Sequence, residues 1–350
     1  MLNNPVFIIG HPKSGTSLLC AMLDSHPELL VLPEESDYYN LIWPRANLLN
    51  YEWRLSKTEK AKLLSEYISK KSHFKNFSNG KVDRDISGNF DYTQFDSNFF
   101  HKILIRKLAN IPYFTRKTLF HIIAESFANT TVMRMNQKNT RYWVEKTPKH
   151  TWFIQEILAD FPNSKFIFLY RDPRDNFISY KKKWGEKLTA LKFSKSWNDA
   201  ILQQEKIPAS QLYKMQYENL TINPFFHIQD LCTFLDIEYL DCLLQPSKLG
   251  IKWKGNSMFK KNLDTISPVN IGHHRDAIDA EDLKIIESFC ADNMIKLGYN
   301  LNIDNKVLEA TYTNNHKNYR KLKLNNYNFL QTQLVKLKII LTGEIKKKKT

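Results

Sequence analysis

The residues best suited to chemistry lie in PKSGTS at 12–17. Gly10 and Gly15 bracket four residues, Lys13 stands among them, and Ser14, Thr16 and Ser17 supply hydroxyls. An apolar run at 5–9 precedes the loop and the pattern LLCAMLDSH follows it, the strand–loop–helix layout of a phosphate cradle. Backbone N–H groups converge in such a loop, and the dipole of the following helix favours an anion there. The glycine spacing matches the nucleoside-triphosphate loop GxxxxGK(S/T), but Thr16 occupies its lysine position. The loop therefore suits a smaller phosphate; an ordinary strand–turn–helix is the plainer alternative.

Three further groups qualify. Glu34 and Glu35 follow a short apolar run at 29–32, and adjacent carboxylates can act as a general base. The plainer reading is an acidic pair capping a helix that starts near Ser36. Lys146, in EKTPKH, follows another apolar segment, where a lysine can stabilise charge on a transferred group or simply sit on a surface turn. Arg171 ends the run at 166–170, and Ser179 stands eight residues on, about two helical turns. That arginine is placed to grip an anion with its planar fork, or to pair with Asp172 or Asp175. Two separate anion grips imply a ligand with two phosphates. No metal-ligand cluster is apparent in the sequence, and none is expected.

Elements that position these groups follow from pattern. Apolar runs at 5–9, 29–32, 166–170 and 212–217, with a strand-like start at 141–145, predict a parallel sheet of about five strands. The ligand edge of such a sheet is its carboxyl edge. The fold class expected is α/β, P-loop-like, with helices on both faces. Residues 41–140 read as a mainly helical insertion on the acceptor side. Helices are predicted at 55–68, with Ser56 and Glu59 as a capping box, and at 99–108 and 119–133. Two more are predicted at 224–235 and 279–297, the latter with Asp279 as N-cap and Gly298 as its stop. Residues 1–300 form the domain and 301–350 a basic tail, with an amphipathic helix at 327–341.

Composition narrows the function classes. Hydrophobic residues at 42% and aromatic residues at 13% of 350 indicate a globular chain. No apolar run reaches the ~18 residues of a membrane span. The first strand follows Met1 almost at once, leaving no room for a signal peptide, and Cys20, Cys232, Cys242 and Cys290 form no CxxC pair. A cytoplasmic enzyme is expected. Of the net +15, the tail carries +8, from 11 Lys/Arg against 3 Asp/Glu, which suggests peripheral membrane contact. A nucleic-acid partner is not expected, because zinc-finger, RNA-binding and helix-turn-helix signatures are missing.

PKSGTSLL followed by RDPRDNFISY resembles the paired signatures of the sulfotransferase family. MLDSHPEL with PEES, EKTPKH, YENLTINPFFHIQDLCTFLDI and FCADNMIKLGY are similar to the branch that holds tyrosylprotein sulfotransferases and their bacterial relatives. The resemblance covers roughly residues 5–300. It implies sulfuryl transfer from 3′-phosphoadenosine 5′-phosphosulfate (PAPS) to a hydroxyl acceptor, leaving adenosine 3′,5′-bisphosphate (PAP). By the same resemblance Lys13, Ser14, Gly15, Thr16 and Ser17 hold the 5′-phosphosulfate, Arg171 and Ser179 the 3′-phosphate, and Tyr217 is the tyrosine of the YE motif. Catalysis falls to Glu35, Lys146 and Lys13, with the choice between Glu34 and Glu35 open. Asp37 stands where that branch has a basic residue, so a peptide-tyrosine acceptor is not implied; carbohydrate is the first expectation, then tyrosine or a small metabolite. His273 and His274 read as loop residues near the adenine nucleotide. The rival readings are a P-loop kinase and a non-catalytic nucleotide- or polyanion-binding module.

Overall fold

A computed structural model describes residues 4–71, 97–130, 140–185, 188–253, 255 and 265–302. Strand β1 (Pro5–Gly10) leads through the glycine loop into helix α1 (Thr16–Leu23) and then β2 (Leu29–Val31). Between β2 and the next strand come α2 (Trp43–Asn50), α3 (Lys57–Lys71), α4 (Ser97–Ala109) and α5 (Arg116–Ala128). Strand β3 (Tyr142–Lys146), α6 (Ile154–Asp160), β4 (Lys165–Tyr170), α7 (Pro173–Trp184) and α8 (Ala190–Gln204) follow. The chain continues through β5 (Leu212–Gln216), α9 (Tyr217–Ile222) and α10 (Pro224–Leu235). A small hairpin of β6 (Ser247–Lys248) and β7 (Ile251–Lys252), then α11 (His274–Ala277) and α12 (Ala280–Lys296), complete it.

The five long strands form one parallel sheet in the order β2-β3-β1-β4-β5, the α/β architecture expected. Order reverses at β1: the chain goes to β2 and β3 on one side, then crosses to β4 and β5 on the other. Loops leaving β1 and its neighbours therefore converge at the carboxyl edge, where open α/β sheets bind ligands.

Strand alternation divides the core into two faces of different character. Phe7, Trp143, Phe166 and Phe168 face one side, beneath α2–α8 and α12. The Phe7 ring lies 5.7 Å from Phe166, 5.9 Å from Trp143 and 6.1 Å from Phe120 of α5. Val6, Ile8, Val144, Ile167, Leu169 and Met215 face the other side, beneath α1, α9 and α10. Bulky rings fill the space under the insertion, whereas aliphatic chains let α1 pack close to the sheet.

Local signals decide most boundaries. Ser56 and Glu59 exchange the hydrogen bonds of a capping box, Glu59 N–H donating to Ser56 Oγ and Ser56 N–H to Glu59 Oε2. Helix α5 starts earlier than the periodicity predicts, because Thr115 accepts from the Thr118 N–H and caps it. The 212–217 run is one residue too long as a strand, since Tyr217 already begins α9. A helical stretch does begin two residues past Ser36, as a wide turn at Tyr38–Ile42 that runs into α2; Asp37, in the left-handed region, holds its N-cap position and gives no side-chain cap. Helices α6 and α8 and the β6–β7 hairpin carry no assignment in the sequence reading. His274 is buried against α7, its Nδ1 2.8 Å from Asp175 Oδ1. The 72–96 stretch and the amphipathic pattern at 327–341 lie outside the described residues.

Candidate active site

Every candidate group from the sequence sits at the carboxyl edge of the sheet. β1 ends at Gly10, whose φ of 147° and close approach to the Leu169 carbonyl leave no space for a Cβ. Gly15 opens α1 at φ 96°, and a Cβ there would meet the Tyr217 ring. Lys13, between them, holds φ 74°, an uncommon conformation for a residue with a side chain. Ser14 is fully buried, its Oγ accepting from Asn176 Nδ2 at 3.0 Å. Asn176, on α7, also donates to the Pro12 carbonyl (3.3 Å) and lies 2.8 Å from His11 Nδ1. Burial pushes His11 down to about 4, so the ring is neutral at ordinary pH. His11 and Asn176 thus shape the loop from beneath, a support that the sequence motif does not reveal. Gly15 has no side chain to cap α1, so its first N–H groups are not bonded by the usual N-cap side chain.

Arg171 leaves the end of β4 across this loop. Its Nη1 donates to Ser179 Oγ (3.2 Å) and to the Lys13 carbonyl (3.4 Å), and Nη2 donates to the Asn270 carbonyl (2.6 Å). The guanidinium lies 4.5 Å from the Tyr217 ring centroid, and that ring is the one packed on Gly15. Arg171, Ser179, Tyr217 and the loop therefore form one contiguous body. The Arg171 Nε is buried with no hydrogen-bond partner, an orphan donor suited to an anion. The plainer alternative pairs Arg171 with Asp172 or Asp175; Asp172 is taken by Arg174, which grips it through Nε (2.9 Å) and Nη2 (2.6 Å) and Glu287 through Nη1 (2.6 Å).

The glutamates diverge. Glu35 Oε1 accepts from Lys146 Nζ at 2.9 Å, joining the loop after β2 to the end of β3. Glu34 pairs with Lys248 of the β6–β7 hairpin. Burial alone would push Lys146 down, but Glu35 foremost, with Cys20 and Glu34, raises it above the usual lysine range, so it stays cationic. Beneath this pair lies Glu145, fully buried and bonded to Ser36, Thr147 and His150. Sequence reasoning passed over Glu145 and His150, because a carboxylate inside a strand-like run shows no local sign of its partners. Among the described residues, no three His, Cys, Asp or Glu side chains are grouped so that they could hold a metal ion, and no helix is long and apolar enough to cross a membrane.

Known proteins resemble this chain in sequence and in fold. A model described as "Sulfotransferase family" matches residues 5–241. Protein-tyrosine sulfotransferase A of Caenorhabditis elegans is 25% identical over 279 residues, which cover 76% of this chain and 59% of that protein. Protein-tyrosine sulfotransferase 2 of Gallus gallus is 26% identical over 284 residues, 76% of this chain and 61% of its own. The chain thus spans about three fifths of the length of these curated relatives. Among solved structures, the sulfotransferase domain from the curacin biosynthetic pathway superposes with a TM-score of 0.52 at 20% identity, covering 86% of this chain and 99% of that one. The sulfotransferase domain of the Synechococcus PCC 7002 olefin synthase gives 0.51 at 17% identity, covering 82% and 94%. These two likenesses establish a shared fold. With the family model spanning the sheet, the glycine loop and the Arg171 and Lys146 strand ends, the chain belongs to the sulfotransferase family.

Proposed function

We propose that this protein transfers a sulfuryl group from PAPS to a hydroxyl acceptor, with Glu35 as the general base. The observation that carries this reading is the 2.9 Å Glu35–Lys146 pair, set at the same sheet edge as two separate anion grips. The residues present fit a nucleotide with phosphate at two positions. Residues 13–17 and the uncapped start of α1 suit one phosphate; Arg171, with its orphan Nε and Ser179 beside it, suits the other. When bound, PAPS supplies an activated sulfuryl group that is open to in-line displacement.

The chain's own groups have distinct tasks. Tyr217 backs Arg171 and fills the space above Gly15, keeping the guanidinium directed at the loop. Lys13 and Lys146 hold positive charge where negative charge develops, a contribution of about 2–4 kcal/mol for one well-placed donor. Lys146, buried and cationic, orients the Glu35 carboxylate, which takes the acceptor's proton. Positioned proton transfer of this kind contributes on the order of 10²–10⁴-fold. The helices α2–α5 follow Glu35 in the chain, which favours the insertion as the acceptor side.

The relatives are named for protein tyrosine, which favours a phenolic hydroxyl over the carbohydrate expected from sequence. The test pairs PAPS with a tyrosine peptide, a phenol and an oligosaccharide, and measures PAP release. Release with any hydroxyl acceptor that disappears in Glu35→Gln, while PAP still binds, supports the reading. PAP binding without turnover in any arm would leave a binding module, and turnover with ATP–magnesium in place of PAPS would make the protein a kinase.

A further inference from the structure

Glu145 is 0% exposed, on the aromatic face of the sheet beside Phe7. An isolated carboxylate in such surroundings is strongly disfavoured. This one is compensated by four donors. Its Oε1 accepts from the Ser36 N–H (3.2 Å), the Ser36 hydroxyl (2.7 Å) and the Thr147 hydroxyl (2.5 Å). Its Oε2 lies 2.9 Å from His150 Nδ1. The Tyr39 N–H donates to His150 Nε2 (3.3 Å), so Nδ1 is the ring nitrogen that carries a proton toward Glu145. Burial would push Glu145 up, yet His150, Ser36 and Thr147 together hold it below the usual carboxylate range.

The pattern of partners is informative. Ser36 is the residue after Glu35, and Thr147 the residue after Lys146. The Asp37 N–H also donates to Thr147 Oγ1 (3.3 Å), adding a second tie between the same segments. We infer that Glu145 is a positioning residue, whose carboxylate clasps the segment carrying Glu35 to the strand end carrying Lys146 and so sets their 2.9 Å pairing. Glu145 and Lys146 are consecutive on β3, so their side chains leave opposite faces of the sheet. The clasp acts from below while the pair works above. This inference rests on the reading of Glu35 as base.

The test is a double-mutant cycle on turnover, with PAP affinity measured in parallel for every variant. Glu145→Ala is expected to lower kcat about 10²-fold, the penalty of a displacement near 1 Å, while PAP affinity stays within about threefold of wild type. Glu145→Gln, which retains an oxygen for Ser36 and Thr147 but sets an amide N–H against the His150 ring, is expected to recover part of kcat. In a Glu35→Gln background Glu145→Ala is expected to add little, because both act on one step. Thr147→Val, which removes two ties and leaves the carboxylate in place, carries the cycle if Glu145→Ala does not fold; a kcat loss that vanishes in the Glu35→Gln background is expected there too. Wild-type kcat in the variant that folds, or a loss fully additive with Glu35→Gln, would overturn the clasp. A Glu35→Gln protein with wild-type turnover would instead overturn the choice of base, so the two failures are distinguishable.

Discussion

Adjacent glutamates offer the same chemistry in a sequence, yet Glu34 and Glu35 meet different lysines in the fold. Glu35 reaches Lys146 at the end of β3, and Glu34 reaches Lys248 on a hairpin more than 200 residues away in the chain. Glu35→Gln is therefore expected to lower turnover by about 10²–10⁴-fold, whereas Glu34→Gln should stay within about tenfold, or 1.4 kcal/mol. Initial rates at saturating PAPS separate the two; equal losses would mean that the carboxylates act as a unit. Lys13→Ala and Arg171→Ala are each expected to weaken PAP binding by roughly 10- to 100-fold, the range for hydrogen bonds to charged groups. Titration calorimetry checks this, and unchanged affinity in both would remove the phosphate assignments. His11 gives a pH dependence with a definite sign. Its folded value, about 4, lies below the unfolded 6.5, so the unfolded chain binds the extra proton first. The His11 contribution is complete above pH 6.5 and is lost as pH falls toward 4, amounting to about 3 kcal/mol. Urea denaturation of wild type and His11→Asn across that window checks it, since the variant should lack this part of the decline.

At the scale of elements, the glycine loop depends on backbone geometry more than on its hydroxyls. Gly15→Ala would both force a side chain into φ 96° and drive a Cβ into Tyr217, a strain of about 1–3 kcal/mol. Reduced stability together with loss of PAP binding is expected, because Tyr217 also backs Arg171; a variant with normal PAP affinity would uncouple the two grips. Elsewhere, Arg174 holds the buried carboxylates of Asp172 and Glu287 together, tying α7 to α12. Such elements differ in how much of them a sequence reveals. The strands were legible because both faces are covered, giving near-continuous apolar runs at 5–9 and 166–170. The α3 and α12 starts were legible because their caps are local, Ser56 with Glu59 and Asp279 with Asp282. Glu145 was not, since its meaning lies in Ser36, 109 residues earlier. Nor was the Arg174 cluster, where a nearer-looking pairing of Arg171 with Asp172 gives way to one set by α12.

For the molecule as a whole, a reversal of strand order at β1 brings the loop at 10–17, the β3 end and the β4 end to one edge. Two anion grips joined through Tyr217 and a carboxylate–lysine pair then share one frame. That frame is the ground for proposing a ligand with phosphate at two positions. The most direct test is a thermal-shift measurement on the purified full chain with PAP, beside AMP and ATP–magnesium, in wild type and Arg171→Ala. A ligand held only by the folded state raises the melting temperature with saturation, about 2.7 kcal/mol at a hundredfold excess over Kd. The expected result is selective stabilisation by PAP that Arg171→Ala largely abolishes. Equal stabilisation by AMP, or a PAP shift untouched by Arg171→Ala, would contradict the two-phosphate site and the function built upon it.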